Sequence, residues 1–97
     1  MDLYVIRRRD VWASPQEAEA AGERSAAEGD KAVSSVRWIR SYVVAEESGR
    51  LGTVCIYQAA SPEAIKAHAD AAGIPAHEIV PVVDTVIVRP DPERVAA

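Results

Sequence analysis

Residues 36–73, VRWIRSYVVAEESGRLGTVCIYQAASPEAIKAHADAAG, contain two runs of β-forming side chains, a polar turn and a helix with marked ends. Residues 36–44 are rich in branched and aromatic side chains, which fit a pleated surface, and residues 53–57 repeat that composition. Between them, residues 46–52 are polar and include Gly49 and Gly52, so the pair reads as an antiparallel hairpin. Ser61 then precedes Pro62 and Glu63. A hydroxyl at the N-cap, a proline whose missing N–H is not needed there, and an acid beside the positive helix end together start a helix. Ile65, His68, Ala69 and Ala72 recur on one face of it, and Gly73-Ile74-Pro75 stops it. The same stretch holds one of the two tryptophans, two of the three tyrosines, the single cysteine and one of the two histidines, so chemistry is sought there first.

On the N-terminal side, Leu3-Tyr4-Val5-Ile6 begins a strand that the arginines extend to Arg8 or Arg9. Residues 10–13 connect it to Ser14-Pro15-Gln16-Glu17, the pattern of a capping box. The helix that follows carries Ala18, Ala21, Gly22, Ser25, Gly29 and Ala32 at helical spacing and fades by residues 29–31. A face of such small residues approaches a sheet closely but buries little area. From Val33 the composition turns β-rich. On the C-terminal side, residues 79–88 read as a fourth strand, with Pro81 marking an edge or a bulge near its start.

The order βαββαβ predicts one α+β, ferredoxin-like domain over residues 1–88, a four-stranded antiparallel sheet with two helices on one face, and a flexible C-terminal tail over residues 89–97. The strands are apolar on both sides: Tyr4 and Ile6 oppose Leu3 and Val5, and Trp38, Tyr42 and Val44 oppose Ile39 and Val43. A sheet of that kind needs covering on both faces. The helices cover one, and a second copy of the chain covers the other most economically. A homodimer through the sheet face, a dimeric α/β barrel, is therefore expected.

At 97 residues the chain is one domain with a modest core, and its apolar fraction of 48% owes much to alanine and valine, with no phenylalanine. A net charge of −4 and a pI near 5.1 argue against a nucleic-acid partner. Arg7-Arg8-Arg9 is the one basic run, and on a strand its side chains alternate between faces instead of forming one surface. The single cysteine excludes an intramolecular disulfide and a Cys-x-x-Cys metal knuckle. With no apolar run near the ~20 residues that span a bilayer and no signal-peptide pattern at the start, a soluble, cytoplasmic protein with no membrane partner is expected.

His68 is the leading candidate for chemistry. A neutral imidazole ligates nickel, zinc or copper and serves as a general base near neutral pH, while the plainer reading is a helix histidine bonded to backbone or solvent. Cys55 and Tyr57, two apart on a strand, share a face. They line a pocket, with a thiolate ligand among the options, or Cys55 is simply a small buried hydrophobe. Whether that face also carries Trp38 and Tyr42 depends on the hairpin register, which a slip of one residue reverses. Trp38 and Tyr42 are expected on one face with Arg40 between them, lining a small aromatic pocket or forming core or interface. His77 is expected in an exposed turn. The sequence has no Gly-rich phosphate loop, nucleophile elbow, His-Glu-x-x-His or EF-hand loop.

Several segments together resemble a family of small bacterial, actinobacterial-type proteins: Trp38-Ile39-Arg40-Ser41-Tyr42, Cys55-Ile56-Tyr57-Gln58-Ala59, Ser61-Pro62-Glu63-Ala64-Ile65 with His68-Ala69, and Ala72-Gly73-Ile74-Pro75-Ala76 with Ile79. Tyr4-Val5-Ile6 and Arg9-Asp10 also fit. That family was formerly a domain of unknown function, and its named representative is a nickel-binding protein with a ferredoxin-like fold. The resemblance implies a homodimer of that fold and transition-metal binding. The expected function is then a small, non-enzymatic, dimeric protein binding a divalent transition metal, nickel by resemblance, with His68 the first ligand candidate and Cys55, Tyr42 and Tyr57 the others. Two other readings stand beside it. In a cofactor-independent dimeric α/β-barrel enzyme, oxygenase- or isomerase-like and acting on a small organic molecule, His68 would be the general base and Tyr42 or Tyr57 an orienting donor. In the other, the chain is a ligand-free dimerisation module.

Overall fold

The computed structural model describes residues 1–31 and 35–92. Six elements follow in the order β1 (Asp2–Trp12), α1 (Pro15–Lys31), β2 (Val36–Ala45), β3 (Leu51–Ala59), α2 (Pro62–Ala72) and β4 (Glu78–Pro81). The strands form one antiparallel sheet in the order β2-β3-β1-β4, the ferredoxin-like α+β arrangement expected from the element order. On the central strands Tyr4, Ile6, Cys55, Tyr57 and Ala59 project toward the helices and pack with Ile65 of α2. A second cluster joins Trp12, Ala21, Ala69, Ala72 and Ile74, tying α1 to α2 at the far end of β1.

The helix ends follow their sequence signals. Ser14 Oγ accepts from the Glu17 N–H at 3.3 Å and the Glu17 carboxylate accepts from the Ala13 N–H at 2.8 Å, which satisfies two otherwise orphaned donors at the start of α1. Ser61 Oγ accepts from the Ala64 N–H at 3.2 Å. Gly73 adopts φ +70°, a left-handed conformation that lets the Ile74 N–H reach the Ala69 carbonyl at 3.0 Å and closes α2. α1 continues through Gly22, where a Cβ would stand 3.6 Å from Cη2 of Trp38; the small face of the helix is where that ring arrives. Ala32 and Val33 lie outside the described residues.

Three elements differ from expectation. Residues 10–13 are not simply a connection: β1 continues to Trp12 across a register shift after Arg8, where Asp10 takes φ +56°. Aspartate enters that left-handed region more readily than most residues. Arg50 clasps the kink by donating to the carbonyls of Asp10 at 2.9 Å and Val11 at 2.8 Å. In β2, Trp38 pairs with Tyr57 but Arg40 pairs with Ile56, so Ile39 is an extra, bulged residue. The bulge turns Tyr42, opposite Val54, away from the helices, and the expectation that Trp38 and Tyr42 share a face is corrected. Trp38 instead joins Ser41, to whose Oγ its Nε1 donates at 2.7 Å.

The third difference is β4, which ends at Pro81 instead of running over residues 79–88. Proline has no N–H for the ladder. Val82 adds one bond to the Leu3 carbonyl at 3.0 Å, and beyond it Val83, Val86, Ile87 and Val88 are exposed. The chain then meets the opposite edge of the sheet, where Asp91 accepts from Tyr42 Oη at 2.6 Å and from Arg40 Nη1 at 3.1 Å. Residues 93–97 of the expected tail lie outside the described residues. No helix among the described residues is long and apolar enough to cross a membrane.

Candidate functional site

Ala18, Ala21, Gly22 and Ser25 of α1 are too short to fill the space between that helix and the β2–β3 side of the sheet. A cavity of about 960 Å3, partly open to solvent, remains there. Trp12, Trp38, Tyr57 and Ile74 supply apolar wall, Arg8 and Thr53 supply polar atoms, and Glu19, Glu23 and Arg40 are the other charged residues of the lining. The backbone irregularities leave both indoles on the helix side: the shift in β1 adds two residues and so keeps Trp12 in phase with Tyr4, Ile6 and Arg8, and Trp38 precedes the bulge at Ile39.

Arg8 is buried, with 2% of its surface exposed. The arginine run splits as strand alternation requires. Arg7 pairs with Glu46 at 2.8 Å, Arg9 pairs with Glu78 at 2.8 Å, and Arg8 points inward in phase with Tyr4 and Ile6. Its Nε donates to the Pro75 carbonyl at 2.5 Å and its Nη1 to Cys55 Sγ at 3.3 Å, while Nη2 has no partner. Thr53 Oγ1 is likewise buried and unpaired.

Beside this lies a second cluster. Ser25 Oγ bridges Tyr57 Oη at 2.9 Å and His68 Nε2 at 3.0 Å, linking α1, β3 and α2. The Tyr57 ring stacks on Trp38 with centroids 6.2 Å apart and tilts against His68 at 5.8 Å. Burial raises the Tyr57 phenol pKa, opposed by the Ser25 hydrogen bond and the Arg8 charge. Burial lowers the His68 pKa from its ordinary 6.5, and Arg8 lowers it further against a weaker pull from Glu28. His68 is therefore neutral near pH 7, with Nδ1 unpartnered, beside a smaller recess of about 330 Å3 that Ser25, Trp38 and Tyr57 also line.

Of the four ligand candidates, Cys55, Tyr57 and His68 lie on the helix side, and Tyr42 lies on the opposite face, bonded to Asp91. His77 is exposed as expected, its Nδ1 accepting from the Arg9 N–H at 2.8 Å. Arg8, Trp12 and Thr53 are cavity residues that the sequence does not single out. For Arg8 and Trp12 the signal is present in their two-residue phase with Tyr4 and Ile6.

The fold and the cavity define a small ferredoxin-like α+β protein with a ligand-sized chamber beneath its first helix. The chain belongs to the SCO4226-like family, whose model, described as nickel responsive protein SCO4226-like, matches residues 4–82. Its fold is similar to the crystal structure of SCO4226 from Streptomyces coelicolor A3(2), with a TM-score of 0.68 and 20% identity, covering 87% of this chain and 99% of that one. No curated protein matches it in sequence.

The family name raises nickel, and the interior cluster does not suit that ion. Cys55 Sγ already accepts from a guanidinium, His68 Nε2 is engaged by Ser25, and a divalent cation there would face the fixed positive charge of Arg8. No group of three or more His, Cys, Asp or Glu among the described residues could hold a metal ion. His68 Nδ1 is a lone unpartnered donor, short of the several that a transition metal uses. Calorimetric titration with nickel chloride is accordingly expected to give the same affinity for wild type and His68→Ala. Loss of nickel binding in the variant would place the ion at His68.

Proposed function

We propose that the chain is a non-enzymatic, homodimeric binding protein of the nickel-responsive family, and that the cavity beneath α1 is its binding site. The observation that supports this reading is the chamber itself: about 960 Å3, walled mainly by apolar and aromatic side chains, with a few converging polar atoms. That is the usual form of a small-molecule site. Nickel enters as the condition named for the family and not as an ion held by Cys55, Tyr57 or His68. The enzymatic alternative needs His68 and a tyrosine arranged around a substrate. Here His68 and Tyr57 both border the smaller recess, but His68 Nε2 and the Tyr57 hydroxyl are both bonded to Ser25, and Tyr42 is on the far face. A cytoplasmic setting accompanies the proposal, in keeping with a single free cysteine.

The second copy covers the face without helices. Leu3, Val5, Val54 and Ile56 lie there half-buried, and Val80 is exposed beside Val5. An apolar face of this kind on a four-stranded sheet calls for a cover. The exposed Val86-Ile87-Val88 segment adds apolar surface beyond β4 for the same partner.

One preparation tests both halves of the proposal. Light scattering after size exclusion is expected to give twice the 10.4 kDa chain mass, and the Ile56→Lys variant to give the single-chain mass. A wild-type monomer overturns the dimer. The neutral fluorophore N-phenyl-1-naphthylamine is expected to bind with enhanced emission and to quench Trp12 and Trp38, both of which line the chamber. No binding overturns the cavity as the site.

A further inference from the structure

We infer that the cavity takes a small organic monoanion, a carboxylate on a flat apolar body, held between Arg8 Nη2 and Thr53 Oγ1. This rests on the reading of the chamber as the binding site, and it names the chemistry of the occupant.

A guanidinium stays charged at any working pH, and a buried charge is costly unless an opposite charge or a full set of hydrogen bonds meets it. Arg8 has neither. Its two bonds go to a carbonyl and a weakly accepting sulfur, and no carboxylate among the described residues pairs with it. Thr53 is 6% exposed and its hydroxyl is also unpartnered. Arg8 and Thr53 are direct partners across β1 and β3, so their side chains leave the sheet on one face with Cβ atoms about 5 Å apart. Both line the large cavity. Two side chains with unsatisfied polar atoms, each more than nine-tenths buried, thus line one chamber from paired positions on adjacent strands.

The pair selects its ligand by charge and shape. One positive charge balances one negative charge, and a carboxylate places one oxygen on the Nη2 N–H groups and the other on the threonine hydroxyl. A dianionic phosphate would leave an uncompensated negative charge, because Arg40, the other cation of the lining, is paired with Asp91, and Glu19 and Glu23 line the same cavity. The ligand body then meets Trp12, Trp38 and the short side chains of α1, a slot suited to an aromatic or otherwise flat skeleton.

The test compares 2-naphthoate with 2-naphthamide, which share a ring system and differ in charge. Wild-type protein is expected to bind the carboxylate roughly tenfold more tightly or better, as a charge-assisted hydrogen bond from a buried guanidinium should give. Arg8→Met keeps the apolar stem and is expected to bind both compounds alike. Thr53→Val is expected to weaken the carboxylate severalfold and leave the amide unchanged. Without ligand, Arg8→Met is expected to melt no lower than wild type, because removing an unpaired buried charge is neutral or stabilising. Should that variant fail to fold, Thr53→Val and the wild-type comparison decide. Equal affinity of the two compounds for wild type, or an undiminished preference in Arg8→Met or Thr53→Val, overturns the anion site. The cavity itself stands if N-phenyl-1-naphthylamine binds, and falls with the anion site if none of the three probes does.

Discussion

Gly52→Ala is expected to destabilise the protein by about 2–3 kcal/mol, or roughly 10–20 °C in melting temperature for a domain of this size. A Cβ at this position would overlap the Arg8 carbonyl oxygen and the Glu46 carboxylate. Neither yields readily. The carbonyl belongs to β1 where it is about to kink, and Glu46 is pinned by Arg7 at 2.8 Å with both side chains largely shielded, at 15% and 16% exposure. Relief requires β1 to move away from β3, which displaces Arg8 and with it the polar wall of the cavity. Thermal denaturation followed by circular dichroism measures the loss. A melting temperature equal to that of wild type would mean that β1 shifts there without resistance, and the close approach would lose its importance.

Tyr57→Ala carries the other large effect, about 3–5 kcal/mol in denaturant unfolding, the range for truncating a buried aromatic residue. Tyr57 is 1% exposed, stacks on Trp38, touches His68 and bonds Ser25. It also stands between the two cavities and lines both, so truncation joins them into one water-accessible space. Tyr57→Phe keeps the ring, and Ser25 keeps its bond to His68, so a loss of about 1 kcal/mol is expected. If the phenylalanine variant is as damaged as the alanine one, the hydroxyl bridge and not the ring holds this part of the core.

What could be read from the chain follows how local each signal is. The helices begin and end where Ser14, Glu17, Ser61 and Gly73 say they should, because capping is a contest among a few adjacent groups. The hairpin was equally plain as a hairpin, but its register rests on Ile39, an ordinary strand residue that nothing in the neighbouring sequence marks as a bulge. β4 is short for a similar reason. Val86-Ile87-Val88 has strong strand composition, yet after Pro81 the chain no longer lies along β1. His68, Cys55 and Tyr57 do gather on the helix side of the sheet. The polar centre of the site, Arg8, sat inside a basic run that invites a surface reading, and only its alternation with Tyr4 and Ile6 points inward.

The bulge at Ile39 has a further consequence. β2 serves two masters: Trp38 before the bulge and Ser41 and Val43 after it face the chamber, while Tyr42 faces the outer surface, where Asp91 binds it together with Arg40. Deleting Ile39 would reverse every side chain that follows it in the strand, swinging Tyr42 inward, away from Asp91, and Ser41 and Val43 out of the chamber.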